Sequence, residues 1–409
     1  MALNCFVGNF LVNTGTGALT VTGVGFTPKA LIFFTTRKNG VGDQAQAGVG
    51  IGFATSSSAM RTMCCESMNN NNPATSTRSL SAIRCFTFVS ETGTTLYSAT
   101  LTSFNPDGFT LDQTVADGAQ HTVGFMALGG SDLTSAMTGT MTPAASTGNQ
   151  SFTGVGFSPD CVLAMNIGAN GQGGNYNLGF NIFTSTTNRV NAIASQNNVS
   201  PSNTRKVQLN SAYLQTSSTA NTTTQLASFV SMDPDGFTLN FSASSNANVG
   251  YYLALKGAQF AVGVLNQSTS TGNQSVSGLS FTPVGILLNS VNAVASASYT
   301  DTVMDRTFSI ADATQKFMIY NGELDNLATS NCSSHSATDT LYKSMTANGA
   351  TPSTETVANF VSMDTTGFTI NNTTVDATSR EVIYLALGSN PAVPGGHLPG
   401  FKSLLGFGR

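Results

Sequence analysis

Side chains suited to acid–base or nucleophilic chemistry are few in this chain of 409 residues. It has three histidines, His121, His335 and His397, and they do not recur at equivalent places along the chain. A general base must lie within reach of the proton that it removes, beside a nucleophile or an acid, and no Gly-x-Ser-x-Gly motif is present. Paired carboxylates for glycoside cleavage stay open among 20 acidic residues, but no spacing favours them. We therefore interpret His121 as structural and expect a protein that is not an enzyme.

Two further groups could hold a metal ion. Cys64, Cys65 and Cys85 lack the Cys-x₂₋₄-Cys pairs that zinc sites favour. The segment Asp233-Pro-Asp-Gly236 resembles the start of a calcium loop, but the glutamate ligand that should follow is missing. The same four residues are typical of a turn, with proline second and glycine fourth. We expect no metal and no other cofactor.

Several glycine-rich and amide-rich segments remain. The glycines at 48–52 and 168–174 lack the strand-to-helix setting of a phosphate-binding loop, so we interpret them as bends and bulges. Polar segments at 69–72, 196–204 and 216–224 are either mobile loops or a recognition surface. If recognition is the function, we expect 168–176 and 196–224 to carry it.

The composition restricts the partners. Only 9% of the residues are charged and the net charge is −4, so no basic field is available for a phosphate backbone, and we exclude nucleic acid. No signal peptide and no apolar run near 18 residues is visible, so we expect no membrane insertion. The six cysteines are few and unevenly placed, which indicates free thiols and synthesis in a reducing cytoplasm.

An internal repeat organises the chain. Three motifs occur three times in the same order, and the three copies of each motif lie about 125–130 residues apart. They are GVGFTP (23–28), GVGFSP (154–159) and GLSFTP (278–283); FNPDGFTL (104–111), MDPDGFTL (232–239) and MDTTGFTI (363–370); FMAL (125–128), YLAL (252–255) and YLAL (384–387). This period far exceeds that of solenoid repeats, so each unit should own a core. The predicted domains are 1–132, 133–258 and 259–390, followed by a tail over 391–409.

Each unit has the pattern of strands and turns. Apolar runs such as Ala30–Phe34 are too short for helices, and Leu19-Thr-Val-Thr22 alternates as a half-buried strand does. The sequence predicts an all-β protein of three tandem antiparallel β-sandwich domains, of jelly-roll or lectin-like type, with six to eight strands each and a short irregular C-terminal tail.

Particular residues should mark the structural turns of these domains. We expect the motif prolines to begin strands and the motif glycines to adopt positive φ in hairpin turns. We also expect the phenylalanine two residues before each motif proline to be buried. These residues are Pro28, Pro159 and Pro283; Gly108, Gly236 and Gly367; and Phe26, Phe157 and Phe281.

The tail is different from the repeats. Pro391, Pro394 and Pro399 prevent a regular helix through its first half. An apolar cluster follows, which we expect to act as an assembly interface with a neighbouring subunit or another protein, rather than to fold back on the third domain. The cluster consists of Phe401, Leu404, Leu405 and Phe407.

At the three repeated motifs the chain resembles the repeated β-domains of tailed-bacteriophage virion proteins, in which a Gly-Phe-x-Pro segment precedes Asp-Gly-Phe-Thr-Leu and a closing Tyr-Leu-Ala-Leu-Gly. Lys256 and the segment Asp364-Thr-Thr-Gly367 depart from that pattern. The order of the motifs is also similar to that of H-type lectin domains, whose six-stranded sandwiches often form trimers.

The resemblance implies a virion surface component, assembled in the host cytoplasm. Two functions follow as expectations. The first is a structural protein of a tail, fibre or capsid decoration, whose partners are other virion proteins in a homo-oligomer or a pseudo-symmetric assembly. The alternative is an adhesin that binds a host-surface glycan.

Overall fold

A computed structural model describes residues 2–37, 40–294, 300–301 and 303–391. The described residues contain 32 strands and no helix, so the prediction of an all-β fold is confirmed. No described segment is a helix that could cross a membrane.

The strands follow the sequence repeat, and the predicted boundaries after residues 132 and 258 fall between strands. The first repeat contains β1 (Leu3–Leu11), β2 (Gly17–Thr22), β3 (Pro28–Thr35), β4 (Gly42–Gln44), β5 (Ala47–Ser56), β6 (Ala59–Ser67), β7 (Ser76–Ser81), β8 (Phe86–Val89), β9 (Thr95–Asn105), β10 (Gly108–Val115) and β11 (Thr122–Gly130). The second contains β12 (Ser135–Met141), β13 (Gly148–Thr153), β14 (Cys161–Asn166), β15 (Tyr176–Thr184), β16 (Asn188–Ser195), β17 (Thr204–Leu209), β18 (Tyr213–Thr216), β19 (Thr223–Asp233), β20 (Gly236–Ser244) and β21 (Gly250–Lys256). The third contains β22 (Gln259–Asn266), β23 (Gly272–Val276), β24 (Pro283–Ala293), β25 (Thr300–Asp301), β26 (Met304–Ala311), β27 (Lys316–Glu323), β28 (Cys332–Ala337), β29 (Tyr342–Thr346), β30 (Ser353–Asp364), β31 (Gly367–Thr374) and β32 (Glu381–Gly388).

Each repeat forms one large and one small antiparallel sheet. The large sheets have the orders β1-β11-β3-β5-β6-β7, β12-β21-β14-β15-β16-β17-β25 and β22-β32-β24-β26-β27-β28-β4. The small sheets have the orders β2-β10-β9-β8, β13-β20-β19-β18 and β23-β31-β30-β29. Two strands extend the sheet of another repeat: β4 of the first repeat joins the third, and β25 of the third joins the second.

The two sheets of a repeat share an apolar cluster, as the layers of a sandwich do. In the first repeat this cluster combines Phe33 and Phe125 of the large sheet with Phe86, Tyr97 and Phe109 of the small sheet. Equivalent clusters lie within the second and third repeats. The rings meet edge to face, for example Phe109 and Phe125 with centroids 5.1 Å apart, a geometry that aromatic pairs prefer.

The opposite faces of the three large sheets meet in a central core. It contains Ile51 and Phe53 of the first repeat, Leu163 and Phe180 of the second, and Phe308 of the third, all essentially inaccessible to water. A strand buried on both faces loses polar–apolar alternation, and β5 and β15 are accordingly apolar or small along most of their length. The three repeats therefore fold around one shared apolar centre.

The first two sequence motifs of a repeat are joined by a carboxylate. Asp107, at the tip of the β9–β10 hairpin, accepts hydrogen bonds from the backbone N–H groups of Gly23 and Gly25, at 2.9 and 2.6 Å. Asp235 makes the same pair of bonds to the second repeat. These N–H donors lower the pKa of both carboxyls. The third repeat has Thr366 in place of this aspartate.

Two expectations about the repeats need correction. The repeats have ten or eleven strands rather than six to eight, because strands such as β7 carry polar residues without alternation. Of the three motif phenylalanines only Phe281 is buried, whereas Phe26 and Phe157 are half-buried. The residue that enters the core in this turn is two positions earlier, and it is Val24, Val155 or Leu279.

The prolines and glycines of the turns have definite places. Pro28 and Pro283 begin β3 and β24, whereas Pro159 lies two residues before β14. The first paired residues after the hairpin tips are the three motif glycines Gly108, Gly236 and Gly367. The φ angles of Gly108 and Gly236 are 147° and 149°, but Gly367 does not have a positive φ, against expectation. What all three share is close approach to a neighbouring strand, where a Cβ would overlap a carbonyl oxygen.

We predict that Gly236→Val destabilises the protein by about 2 kcal/mol or more. The new side chain would overlap the carbonyl oxygen of Phe152, and valine is strained at the positive φ of residue 236. Chemical denaturation followed by circular dichroism measures the change. Gly15→Ala is the matched control, since nothing lies within 4 Å of a Cβ there and its φ is unstrained. Equal stability of the two variants would contradict this account of the turn.

Candidate functional site

Three equivalent loops connect the repeats at one end of the central core. They span 68–75, 196–203 and 324–331, follow β6, β16 and β27, and are called the axis loops here. Asn70, Asn198 and Asn326 lie at matching positions, 128 residues apart, with φ of 55°, 57° and 57°. Asparagine tolerates this left-handed conformation better than most residues do.

The axis loops are joined by a cycle of backbone hydrogen bonds, in which each loop donates to the loop of another repeat. The bonds from the three asparagines are Asn70 N to Ser330 O (2.8 Å), Asn198 N to Ala74 O (2.7 Å) and Asn326 N to Ser202 O (2.8 Å). The reverse bonds are Ala74 N to Val199 O (2.8 Å), Ser202 N to Leu327 O (2.8 Å) and Ser330 N to Asn71 O (2.9 Å). Their order, first to third, third to second and second to first, is that of a closed pseudo-threefold ring.

Side chains in the loops complete the same cycle. The residue before each of the three asparagines accepts a hydrogen bond from the first residue of β28, β7 or β17 in another repeat. The pairs are Asn69 Oδ1 with Cys332 N (2.8 Å), Asn197 Oδ1 with Ser76 N (2.9 Å) and Asp325 Oδ1 with Thr204 N (2.7 Å). These residues satisfy strand-edge N–H groups that would otherwise be unpaired beside the core.

A second set of contacts covers the edges of the large sheets. β4 pairs with β28, and β25 pairs with β17. In the remaining pair of repeats, Gly173 N donates to Arg78 O of β7 at 2.9 Å, and Arg78 Nε donates to Gly171 O at 3.1 Å. Each repeat thus covers one open edge of another repeat, in the same cyclic order as the axis loops.

The junctions between repeats meet at the opposite end of the strands. In the first repeat, β11 and β3 run between the two ends. Val123 pairs with Thr35 at the end nearer the axis loops, and Gly129 pairs with Pro28 at the opposite end. Asp132 N donates to Ala2 O at 3.2 Å, and Asn390 N donates to Asp132 Oδ2 at 2.8 Å. Asn390 Nδ2 also donates to Gly257 O. The starts and ends of all three repeats therefore cluster at one place, the junction pole.

Between the two ends, a polar group interrupts the central core. Glu323 is buried at the register position held by Ser67 in the first repeat and Ser195 in the second. Burial raises its pKa to about 7, and the hydroxyls of the two serines oppose this rise. Its Oε2 has no hydrogen-bond partner among the described residues.

A second buried acid lies between the sheets of the first repeat. Glu66 faces the opposite side of β6 from Ser67, and its Oε1 accepts a hydrogen bond from Arg37 at 2.9 Å. Burial raises its pKa to about 8 despite this charge partner. The two carboxyls give the folded protein two groups that hold protons near neutral pH.

Grooves open where neighbouring repeats meet near the junction pole. The three have volumes of 620, 440 and 320 Å³. They combine aromatic or sulfur-containing side chains with polar ones, such as Phe6, Phe26 and Asn4 in the largest groove. Phe157 and Lys29 line the second groove, and Phe260 and Asp160 line the third.

The two described histidines make contacts within the fold. His121 is buried, stacks on Tyr97 with centroids 4.6 Å apart, and bonds Asp117 Oδ2 at 2.9 Å and Arg37 O at 2.7 Å. His335 bonds Asp43 Oδ1 of the first repeat at 2.6 Å, and burial lowers its pKa. His397 lies outside the described residues.

The cysteines and the tail complete the predicted sites. All six cysteines are free thiols. Cys64 and Cys65 point to opposite faces of β6, since one belongs to the core of the first repeat and the other to the central core. Phe401, Leu404, Leu405 and Phe407 lie outside the described residues, so their role stays a prediction.

Sequence reasoning interpreted segments 69–72 and 196–204, which lie in two of the axis loops, as mobile loops or a recognition surface, and it did not single out the third axis loop; the structure shows that all three join the repeats. A signal was present in the sequence, because an asparagine recurs at a spacing of 128 residues in the three axis loops. Segment 168–176, also a candidate for recognition, contacts Arg78 of the first repeat through Gly171 and Gly173.

Comparison with known proteins identifies no family. No family model matches the chain, and no curated protein matches it. One solved structure to which it can be compared is a fructofuranosidase from Schwanniomyces occidentalis complexed with fructose, at 8% sequence identity over 91% of this chain and 100% of that chain. The TM-score of 0.11 is too low for this likeness to carry any argument.

We predict that residues 133–258, expressed alone, do not form a stable folded monomer. The isolated repeat would expose Leu163, Phe180 and Leu253, which are fully buried only because the other repeats cover them. Circular dichroism and light scattering of the fragment and of the full chain test this. A monomeric fragment with cooperative unfolding would show that the central core is dispensable.

We also predict that the stability of the protein falls as the pH rises from about 5 to 8. A folded-state pKa of about 7 for Glu323, above its ordinary 4.5, means that its contribution is complete below pH 4.5 and is lost as the pH rises through 7. The loss is about 3 kcal/mol. In Glu323→Gln the fall should be smaller, because only Glu66, whose pKa is raised to about 8, then adds to the slope between pH 4.5 and 8. Unfolding midpoints from pH 4 to 9 measure the slope, and identical slopes in the two proteins would refute the assignment.

Proposed function

We propose that this chain is a structural protein of the surface of a tailed-bacteriophage virion. In this proposal the three repeats act as one rigid unit, and the segment after residue 391 attaches that unit to another virion protein. The neutral surface, rich in serine, threonine, asparagine and glycine, suits an exposed particle because it gives little charge-driven adhesion.

The position of the junction pole carries this proposal. Leu3 N donates to Ser389 Oγ at 2.9 Å, and Asn390 is hydrogen-bonded to the junctions after the first and second repeats. The chain therefore leaves the ring where the three repeats begin and end, close to the pseudo-threefold axis. A segment that leaves on the axis can hold the whole unit upright on a partner, which a segment leaving from one side cannot.

The closed ring also supports a structural role. A single chain that closes its own heterologous contacts presents no open sheet edge at those contacts to further copies. Such a unit can be added to a particle as one piece, and its attachment then depends on the axial segment. We accordingly expect partners that are other virion proteins, and a pseudo-symmetric unit rather than an open filament.

The alternative, a host-surface glycan adhesin, is favoured by the three grooves near the junction pole. Each groove brings a phenylalanine ring beside hydroxyl, carboxyl or amine groups, the combination that packs against and hydrogen-bonds a sugar. Glycan-array binding by the protein lacking residues 392–409 would favour this alternative, because that variant keeps every described residue that lines the grooves.

We predict that deletion of residues 392–409 abolishes incorporation into the particle and leaves the folded unit intact. The unfolding midpoint of the truncated protein should equal that of the full chain, because the described hydrogen bonds end at Asn390. Incorporation is measured by immunoblotting purified particles from cells that supply only the variant.

Two full-length variants test whether incorporation depends on the apolar side chains of the segment or only on its length. Changing Phe401, Leu404, Leu405 and Phe407 to serine should reproduce the loss, whereas His397→Ala should not. Normal incorporation of the serine variant and the truncated protein would exclude this segment as the anchor.

A further inference from the structure

A buried arginine lies in the central core without an acidic partner. Arg306 of β26 is 1% exposed, and it follows the alternation of Met304 and Phe308, which face the central core. Its guanidinium carbon lies 5.1 Å from the centroid of the Phe308 ring. This side chain therefore places a positive charge among the three large sheets.

The hydrogen bonds of this guanidinium are incomplete. Nη2 donates to Asn191 O at 3.1 Å and to Asn191 Oδ1 at 2.5 Å, which joins the third repeat to the second. Nε and Nη1 have no partner among the described residues. Two other buried or half-buried cations do have acidic partners, because Arg37 pairs with Glu66 and Lys206 pairs with Asp305.

The neighbouring amides are also unpartnered. Asn321 lies directly opposite Arg306 on β27, and both polar atoms of its side chain lack partners within the described chain. The Nδ2 group of Asn191 also lacks one, while its Oδ1 accepts a bond from Asn289 Nδ2 at 2.9 Å. Buried polar groups in folded proteins are nearly always hydrogen-bonded, so three such side chains together indicate a bound group.

The chemistry of these atoms identifies the group. Arg306 offers N–H donors only, and the two amides add Nδ2 donors, so a cation is excluded. Burial lowers the pKa of Arg306 to about 9, which leaves it charged at neutral pH. A buried charge without a counter-charge is very costly, and water would supply an acceptor but no charge.

The nearest acid on the same sheet face does not supply that charge. Glu323 is paired in register with Met304, two pairs along from Arg306 and Asn321. Its carboxyl forms no ion pair within the described chain, and its Oε2 has no hydrogen-bond partner there. The positive charge of Arg306 is thus left for a ligand.

We propose that the central core binds a small monovalent anion, of the chloride or bromide class, between Arg306, Asn191 and Asn321. The enclosure of the site favours a monatomic ion over sulfate or phosphate. The ion joins the second and third repeats through their side chains and neutralises the charge within the core.

Bromide tests the proposal directly in the unaltered protein. Crystals grown in sodium bromide should give an anomalous peak within hydrogen-bonding distance of Arg306 Nε or Nη1. Water at that position, without an anomalous signal, would overturn the proposal whatever the behaviour of any variant.

A solution measurement adds a second, independent readout. The unfolding midpoint of the wild-type protein should shift upward in bromide or chloride relative to gluconate at equal ionic strength, because gluconate is too large for the site. This shift should be lost in Arg306→Met. It should persist in Arg61→Met, the matched control, since Arg61 is a half-buried arginine that lies over the ring of Tyr251 at 5.6 Å. A halide shift that is equal in both variants would contradict the assignment.

Discussion

The burial of both faces of every large sheet is the constraint on which the structure depends. One face of each large sheet is covered by the small sheet of its own repeat, and the other face is covered only by the remaining two repeats. Removing one repeat would expose an apolar surface that includes residues such as Phe180 and Ile319. The three units share one core, so they form a single structure although they are repeated in sequence.

A closed cycle of contacts follows from this constraint. Three sheets packed around one axis leave an open edge strand each, and an open edge pairs readily with other chains. Each repeat covers an edge of another, through β4, through β25, or through the backbone of Gly173. The axis loops add the same cyclic order with their own hydrogen bonds. A head-to-tail interface repeated three times closes into a ring, and here one chain supplies all three interfaces.

The sequence predicts the local part of this structure better than the assembled part. Turn residues and short apolar runs act over a few positions, so the all-β fold and the strands that begin at Pro28 and Pro283 could be read from them. Two features depend on partners distant in sequence and could not. The role of Asn197 is seen only from its hydrogen bond with Ser76 of another repeat. The role of Asp107 is seen only when the folded hairpin brings it to the N–H groups of Gly23 and Gly25. In these cases, polar side chains that the sequence places in loops form hydrogen bonds between repeats or between motifs.

The central core shows what a single chain can do that three identical chains cannot. Register aligns Arg306 with Val49 and Leu178, and aligns Glu323 with Ser67 and Ser195. Three identical subunits would place three arginines or three glutamates around one axis, where like charges repel in a medium of low dielectric constant. Fusion of the repeats allows one charged residue at each level while the other two positions stay apolar or hydroxylic. At these two levels the repeats therefore diverge where symmetry would be costly, whereas the motifs that build each repeat remain alike.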